Sequence, residues 1–158
     1  MLLKFNSLII AIIIFGLSVS AFARQVGEVS TVFRALGAND KIVVESFVDP
    51  QIPEIHCFLS RAKTGGLAGS VGVAEDRSEA SISCVKTAPV NKTKILTEIV
   101  NGKHESFDVF KKSTSLTFKT IQVVRFFDKP SGSVIYLTYS DKLIYGSPNN
   151  AIFAVSLN

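Results

Sequence analysis

The chain has 158 residues, with 17 lysines and arginines against 13 aspartates and glutamates, which gives a formal net charge of +4. This mild excess excludes a surface dominated by positive charge, such as charge-driven nucleic-acid binders carry. A hydrophobic content of 47% also excludes a chain that stays disordered. We therefore expect a folded protein of one ordinary domain.

The first predicted element is a secretory signal. Lys4 is followed by an apolar run at residues 8–22 and by an A-x-A cleavage pattern that ends at Ala23, a combination typical of exported proteins. The alternative is an N-terminal membrane anchor, but a spanning helix needs about 20 apolar residues. We predict a signal peptide at 1–23, cleavage after Ala23, and one domain without a membrane span at 24–158.

Two strands are predicted next along the chain. The segment KIVVESF at residues 41–47 is rich in β-branched residues and is followed by the strand-ending pair Asp49-Pro50. The segment EIHCFLS at residues 54–60 alternates between two faces, because successive side chains of a strand point in opposite directions. One face carries Ile55, Cys57 and Leu59, and the other carries His56, Phe58 and Ser60.

A glycine-rich loop, KTGGLAGSVG, follows at residues 63–72. It matches neither nucleotide-binding pattern, since G-x-x-x-x-G-K-[ST] needs the lysine after the glycines and G-x-G-x-x-G is absent. Ser60 and Lys63 also form S-x-x-K, a motif of penicillin-recognising enzymes, but their S-D-N motif is missing. We therefore expect no catalysis by Ser60.

The same loop is the candidate ligand site. Backbone N–H groups of such loops can form an anion-binding nest, and the candidate residues are Arg61, Lys63, Thr64, Gly65 and Gly66. The alternative is a structural crossover whose glycines only permit close packing, with both basic side chains in solvent. The binding hypothesis predicts that replacing Arg61 and Lys63 by alanine abolishes ligand binding and leaves the melting temperature nearly unchanged.

The only two cysteines are Cys57 and Cys84, and the second lies in another alternating segment, EASISCV, at residues 79–85. An even count in an exported chain predicts a disulfide, which would stabilise the fold by roughly 3.5 kcal/mol. A redox pair usually shows C-x-x-C, and a metal site would need ligands beyond His56 and His104. We predict a structural disulfide, no metal and no cofactor.

A basic and aromatic stretch, FKKSTSLTFKTIQVVRFF, covers residues 110–127. Such a mixture can mark a nucleic-acid surface. However, Val124 and Phe126 share one strand parity and Lys119 and Arg125 share the other, as in a strand with one buried and one partly solvated face. Ile121 and Val123 on the second face indicate that the later half of the strand is covered on both sides. We expect a core strand and no binding of nucleic acid.

The remaining chain completes the predicted fold class. The sequence KPSG at residues 129–132 predicts a hairpin turn, because proline presets φ and glycine tolerates a positive φ. Helical periodicity is weak, with its best candidates near residues 67–73 and 92–101. We predict a mainly β fold, a single antiparallel sheet or sandwich-like domain with one or two short helices, with α+β as the alternative. The further strand-length runs are FDVFKK, SLTFKTIQVVRFFD, SVIYLTYS and NAIFAVSL.

Acid and base groups for catalysis are few. The candidates are Glu75 and Asp76 beside the glycine loop, Asp141 in YSDK, and His56. Each has a simpler role: a turn or helix cap for the first two, a surface pair with Lys142 for Asp141, and strand filling for His56. We expect a protein without enzymatic activity, and a hydrolase or transferase is the weakest hypothesis.

Several segments resemble the CreA family of bacterial exported proteins. The resemblance covers residues 27–155, includes both cysteines, and implies a periplasmic location in a Gram-negative bacterium. It implies no catalytic residues, and the family's link to carbon-source regulation is one of gene position. The segments are KIVVESFVDP, CFLSRAKTGGLAGSVGVAED, SISC, FKKSTSLTFKTIQVVRFFD, YLTYSDK and GSPNNAI.

Two binding hypotheses follow for an accessory protein of the cell envelope. In the first, the glycine loop binds an anionic small molecule or envelope component. In the second, the protein binds an envelope protein through an exposed sheet edge.

Overall fold

A computed structural model describes residues 23–67, 79–99, 106–113, 120–144 and 147–158. Several predicted features lie outside the described residues. These are residues 1–22 of the predicted signal at 1–23, most of the predicted helix at 67–73, and the candidates Glu75 and Asp76. The described part forms two antiparallel sheets of four strands each, so the prediction of a mainly β fold is confirmed. None of its helices is both long enough and apolar enough to cross a bilayer.

The first sheet follows the chain order from edge to edge. The predicted alternation is confirmed in its two later strands: Ile55, Cys57 and Leu59 are buried, whereas His56 and Phe58 are half-buried on the other face. One strand was not predicted, because the alternation in the sequence begins only at β2. The strands are β1 (Arg24–Val32), β2 (Asp40–Val48), β3 (Ile55–Lys63) and β4 (Ala80–Lys86).

The second sheet also follows the chain order. The predicted turn at residues 129–132 joins two of its strands, with Gly132 at a φ of 61° and its N–H donating to the carbonyl of Lys129 at 3.2 Å. The hairpin prediction is therefore confirmed. The strands are β5 (Phe107–Ser113), β6 (Thr120–Asp128), β7 (Ser133–Ile144) and β8 (Ser147–Ser156).

The two sheets enclose a shared apolar core. The rings of Phe47 on β2 and Phe110 on β5 stack at a centroid distance of 4.8 Å, which joins the sheets on one side. On the other side β4 lies beside β8, and the ammonium group of Lys86 donates to the carbonyl of Asn158 at 2.7 Å. The fold is thus a sandwich with the buried faces of both sheets turned inward.

A short helix follows β4, in agreement with the predicted helix near residues 92–101. Helix α1 (Lys92–Lys94) continues as a π-helical segment at Ile95–Ile99. The side chain of Asn91 caps α1 by accepting a hydrogen bond from the N–H of Lys94 at 3.0 Å. Ile95, only 3% exposed, packs into the core.

A buried ion pair links the sheets where β2 ends. Asp49 and Arg125 of β6 are 0% and 2% exposed, and the two carboxylate oxygens accept hydrogen bonds from Nη1 at 2.6 and 2.5 Å. The sequence analysis expected the later half of β6 to be covered on both sides, and the burial of Val123, Val124 and Arg125 confirms this. An acidic partner from the other sheet compensates for burial of the Arg125 guanidinium.

Further groups complete this cluster, which we call the buried cluster (Asp49, Gln51, Arg125, Tyr136). The Tyr136 hydroxyl donates to Oδ2 of Asp49 at 2.7 Å, and the guanidinium of Arg125 also donates to Gln51. Burial raises the pKa of Tyr136 far above its usual value, and the negative charge of Asp49 raises it further. Tyr136 therefore stays protonated and acts as a fixed donor.

Candidate functional site

Arg61, the first candidate of the glycine loop, is already paired inside the protein. Its side chain is 7% exposed, and its Nε donates to Oε2 of Glu45 on β2 at 3.1 Å. Lys112 of β5 contacts the other oxygen of Glu45. Burial alone would raise the pKa of Glu45, but the hydrogen bonds from Lys112 and Arg61 outweigh it and hold this pKa below its usual value. We call these three residues the open cluster, because Lys112 is 34% exposed.

This pairing changes the mutational expectation. Alanine at Arg61 would leave the 6% exposed carboxylate of Glu45 with Lys112 as its remaining cationic partner among the described residues. A buried charge that loses a partner destabilises a protein. The melting temperature of the Arg61 and Lys63 double variant is therefore expected to fall rather than stay nearly unchanged.

The first two glycines of the loop donate their backbone N–H groups to acceptors within the chain. Gly65 donates to Oδ1 of Asp40 at 2.8 Å, and Gly66 donates to the carbonyl of Ala38 at 2.6 Å. The Arg34 guanidinium holds the pKa of Asp40 below its usual value, and the N–H of Gly65 adds to this effect. An internal carboxylate thus accepts one of the N–H groups that the nest hypothesis assigned to a bound anion.

Close packing explains why glycines are needed at this loop. A Cβ at Gly65 would lie 2.0 Å from the carbonyl oxygen of Ala38, a distance that no side chain can adopt. Gly66 has a φ of 71°, in the left-handed region that glycine favours. These contacts favour the structural interpretation of the first two loop glycines.

The other candidates of the loop lie apart from Ser60. Lys63 is exposed and stands opposite Lys41 of β2, whereas Thr64 is half-buried. Ser60 hydrogen-bonds the hydroxyl of Ser81 at 2.8 Å on the neighbouring strand. Because residues three apart in a strand point to opposite faces, Ser60 and Lys63 do not form a catalytic pair. Anion binding near Lys63 stays a prediction.

The remaining enzymatic candidates in the described part have structural surroundings. The carboxylate of Asp141 is exposed and accepts the N–H of Thr120 at 2.7 Å. His56 is half-buried on the outer face of the first sheet, opposite Val48 and Val85. The structure does not bring these two candidates into one site.

The predicted disulfide is present. Cys57 and Cys84 are directly opposite each other on β3 and β4, and a bond joins their sulfurs with the Cα atoms 4.0 Å apart. They are 0% and 4% exposed within the core. Because a redox centre must be reached by another thiol or an electron acceptor, this burial favours a structural role.

Exposed apolar side chains gather where the β1–β2 hairpin meets the glycine loop. Phe33, Leu36 and Leu67 are 81%, 70% and 63% exposed, and we call these three residues the apolar tip. Gly37 permits the close approach of the two loops. A Cβ on it would lie 2.5 Å from the carbonyl carbon of Gly66 and 2.8 Å from the amide nitrogen of Leu67.

The apolar tip continues into β1, the edge strand of the first sheet. All nine residues of β1 are exposed, and β2 is its one pairing partner in the described part of the chain. Two bulges interrupt β1, one between Gln25 and Gly27 and one between Ser30 and Val32. The second bulge places Val29 and Val32 opposite Ile42 and Asp40, two residues apart on β2 and therefore on one face.

Sequence reasoning missed both the tip and β1. The valines of β1 lie at positions 26, 29 and 32, a spacing of three that fits neither the alternation of a strand nor a helix. One feature of the sequence could have indicated the apolar tip. The segment TVFRALGAND contains isolated apolar residues next to a turn sequence, and such residues do not form the continuous apolar face of a buried strand or helix.

Comparison with known proteins places the chain in context. The family model described as CreA protein matches residues 26–158. Among similar relatives are the proteins named Protein CreA from Escherichia coli strains K12 and O157:H7. Each is 47% identical to this chain over 153 residues, which cover 97% of this chain and 96% of the relative. No solved structure matches the chain.

Proposed function

The chain belongs to the CreA family, and from this premise we propose that it is a periplasmic accessory protein that binds an envelope protein and catalyses no reaction. Two features support the location: the signal pattern that ends at Ala23, and a disulfide, which persists in oxidising compartments. The sequence resemblance also supports a Gram-negative envelope.

The apolar tip is the observation that carries this proposal. Of the eleven large hydrophobic residues that are exposed in the described part, six lie in β1, in the loop that joins it to β2, or at Leu67. Apolar surface gathered in one place marks an interaction site rather than the scatter found on most protein surfaces. Exposures of 63–81% fit a flat protein partner better than a small molecule, which binds in a concave pocket.

The charges beside the tip favour a protein over a lipid surface. Arg34, between Phe33 and Leu36, forms an ion pair with Asp40 at 2.6 Å. Its charge is therefore balanced inside the loop. Surface helices and loops that bind anionic membranes combine apolar residues with unbalanced basic ones, and this loop does not.

Crosslinked capture from envelope extracts tests the proposal. We expect the mature chain to enrich a specific protein, and the double variant Phe33→Ser with Leu36→Ser to lose it. Both side chains are exposed, so the variant should fold with a free energy of unfolding within about 0.5 kcal/mol of the parent chain.

The matched control is Ile152→Ser, which removes an equally apolar side chain that is 67% exposed on β8. The control should capture the same protein as the parent chain. If the tip variant captures it equally well, or if neither chain enriches any protein over empty beads, the proposal is wrong.

A further inference from the structure

The free side of β1 is a second surface, which adjoins the apolar tip. Its three valines, Val26, Val29 and Val32, are 49%, 67% and 50% exposed. Of its two charged residues, Arg24 and Glu28, the second is paired with Lys41 at 2.6 Å. An edge strand with unpaired backbone groups and little charge is a template for another strand.

The other sheet edges in the described part are protected. The edges at β4 and β8 lie beside each other, so each shields the other. The edge at β5 carries Asp108, Lys111 and Lys112 among its seven residues, and such charges oppose the addition of a strand. Of the four edges, β1 is therefore the one left both open and weakly charged. Its two bulges limit regular strand pairing to the stretch between them, residues 27–30.

We propose that β1 pairs antiparallel with β1 of a second copy of this chain, around a two-fold axis that passes at Val29. The pairing would join two four-stranded sheets into one sheet of eight strands. This inference goes beyond the proposed function, because it uses the strand edge and leaves the apolar tip available.

The order of residues in β1 makes this pairing self-complementary. Residues 27–30 form the regular stretch between the two bulges of β1. With the axis at position 29, Val29 faces its own copy and Glu28 faces Ser30, so no two like charges oppose each other in this stretch. Cross-strand pairs of β-branched residues stabilise sheets, whereas opposed like charges destabilise them.

Neighbouring arrangements are less favourable. An axis at Glu28 would place this carboxylate against itself in the second copy, and like charges directly opposite destabilise a sheet. An axis at Ser30 would place Glu28 opposite Val32 and would separate the three valines from each other. The residue pattern thus selects the arrangement centred on Val29.

The dimer would separate the two apolar tips. Phe33 lies four residues beyond Val29, and a strand rises about 3.4 Å per residue, so the two copies of Phe33 would lie roughly 27 Å apart at opposite ends of the joint. Two tips in one dimer would bind a repetitive or dimeric partner more tightly than one tip, through effective concentration.

Light scattering during size-exclusion chromatography of the mature chain tests the proposal. We expect a dimer that dissociates on dilution, and a monomer for Val29→Lys, because two lysines would then oppose each other. The control is Ile152→Lys, whose side chain is 67% exposed like that of Val29 but lies on β8. It should remain dimeric, and circular dichroism should show that both variants are folded.

A mixing experiment tests the axis itself. Val29→Lys and Val29→Glu should each be monomeric alone, whereas an equal mixture should form a heterodimer, because opposite charges meet only if position 29 faces itself. A monomeric parent chain at all concentrations would overturn the proposal. So would a Val29→Lys variant that stays dimeric, or a mixture that stays monomeric. A failed dimer would leave the capture experiment with the tip variant unaffected.

Discussion

Two ionic clusters join the same pair of sheets at different depths. In the buried cluster, Asp49 and Arg125 are both at most 2% exposed. In the open cluster, Glu45 precedes Asp49 in the sequence by four residues. Its carboxylate contacts Lys112, which is 34% exposed. The ion pair of the buried cluster is shielded from solvent, whereas the open cluster reaches solvent at Lys112.

The difference separates a stabilising element from an adjustable one. A charge without access to water depends completely on its partners, and loss of one partner leaves it uncompensated. A charge beside solvent keeps part of its hydration, so its pairing contributes less. We infer that the buried cluster determines how the two sheets pack, whereas the fold is less sensitive to the loss of a charged partner in the open cluster.

The largest effect is expected for Arg125→Met. This variant would leave the carboxylate of Asp49 buried with the Tyr136 hydroxyl and two backbone N–H groups, and removal of one partner of a buried pair costs about 3–5 kcal/mol. Urea unfolding measures it, with Lys129→Met in the exposed turn as the control. A loss below about 1 kcal/mol would show that the pair is not a main stabilising contact.

The residues of this cluster illustrate the limit of the sequence. Alternation located β6 correctly, and the turn sequence KPSG located the hairpin that follows it. The partner of Arg125 lies 76 residues earlier, and no local pattern relates the two. The sequence therefore indicated that the later half of β6 is covered, but it did not show which group compensates for the charge of Arg125.

A smaller effect should separate Arg61→Ala from Lys63→Ala. Arg61 belongs to the open cluster, and its loss is expected to cost about 1–3 kcal/mol, because Glu45 stays buried but keeps Lys112. Lys63 is exposed, so its loss should change the free energy of unfolding by no more than about 0.5 kcal/mol. Urea unfolding of both variants makes the comparison.

The same two variants test the anion hypothesis. If phosphate raises the melting temperature of the parent chain and no longer does so in Lys63→Ala, an anion site exists at this end of β3. If phosphate has the same effect on both chains, Lys63 is not part of such a site.

The stability comparison has its own contradicting outcome. If Arg61→Ala and Lys63→Ala lower the free energy of unfolding equally, the difference in burial between the two side chains does not determine their contribution.

The loop and β1 were predicted unequally for a physical reason. Two cysteines and a predicted export signal suffice to predict a disulfide, because two cysteines allow a single intramolecular pairing. The glycines suggested an anion-binding nest, but the N–H groups of Gly65 and Gly66 donate to Asp40 and Ala38, which are distant in sequence. In β1 the two bulges, near Val26 and Thr31, remove the alternation by which strands are predicted.

The smallest effect is a pH dependence of the open cluster. The folded protein holds the pKa of Glu45 below its ordinary value of 4.5, so the ionised group stabilises the fold above that pH and loses its contribution as the pH falls through the folded pKa. We expect Glu45→Gln to be less stable than the parent chain at pH 7, with a difference that shrinks below pH 4.5. Urea unfolding from pH 7 to pH 3 measures this difference.

Glu28→Gln is the matched control, because Glu28 on β1 also has a lowered pKa through its hydrogen bond from Lys41 but is exposed. Solvent screens such a pair, so its variant should differ less from the parent chain at every pH. If the two glutamine variants lose the same free energy of unfolding at each pH, burial does not distinguish the ion pairs of the core from those of the edge strand. If Glu45→Gln alone shows the pH-dependent loss, the ion pairs of β2 stabilise the fold and those of β1 do not.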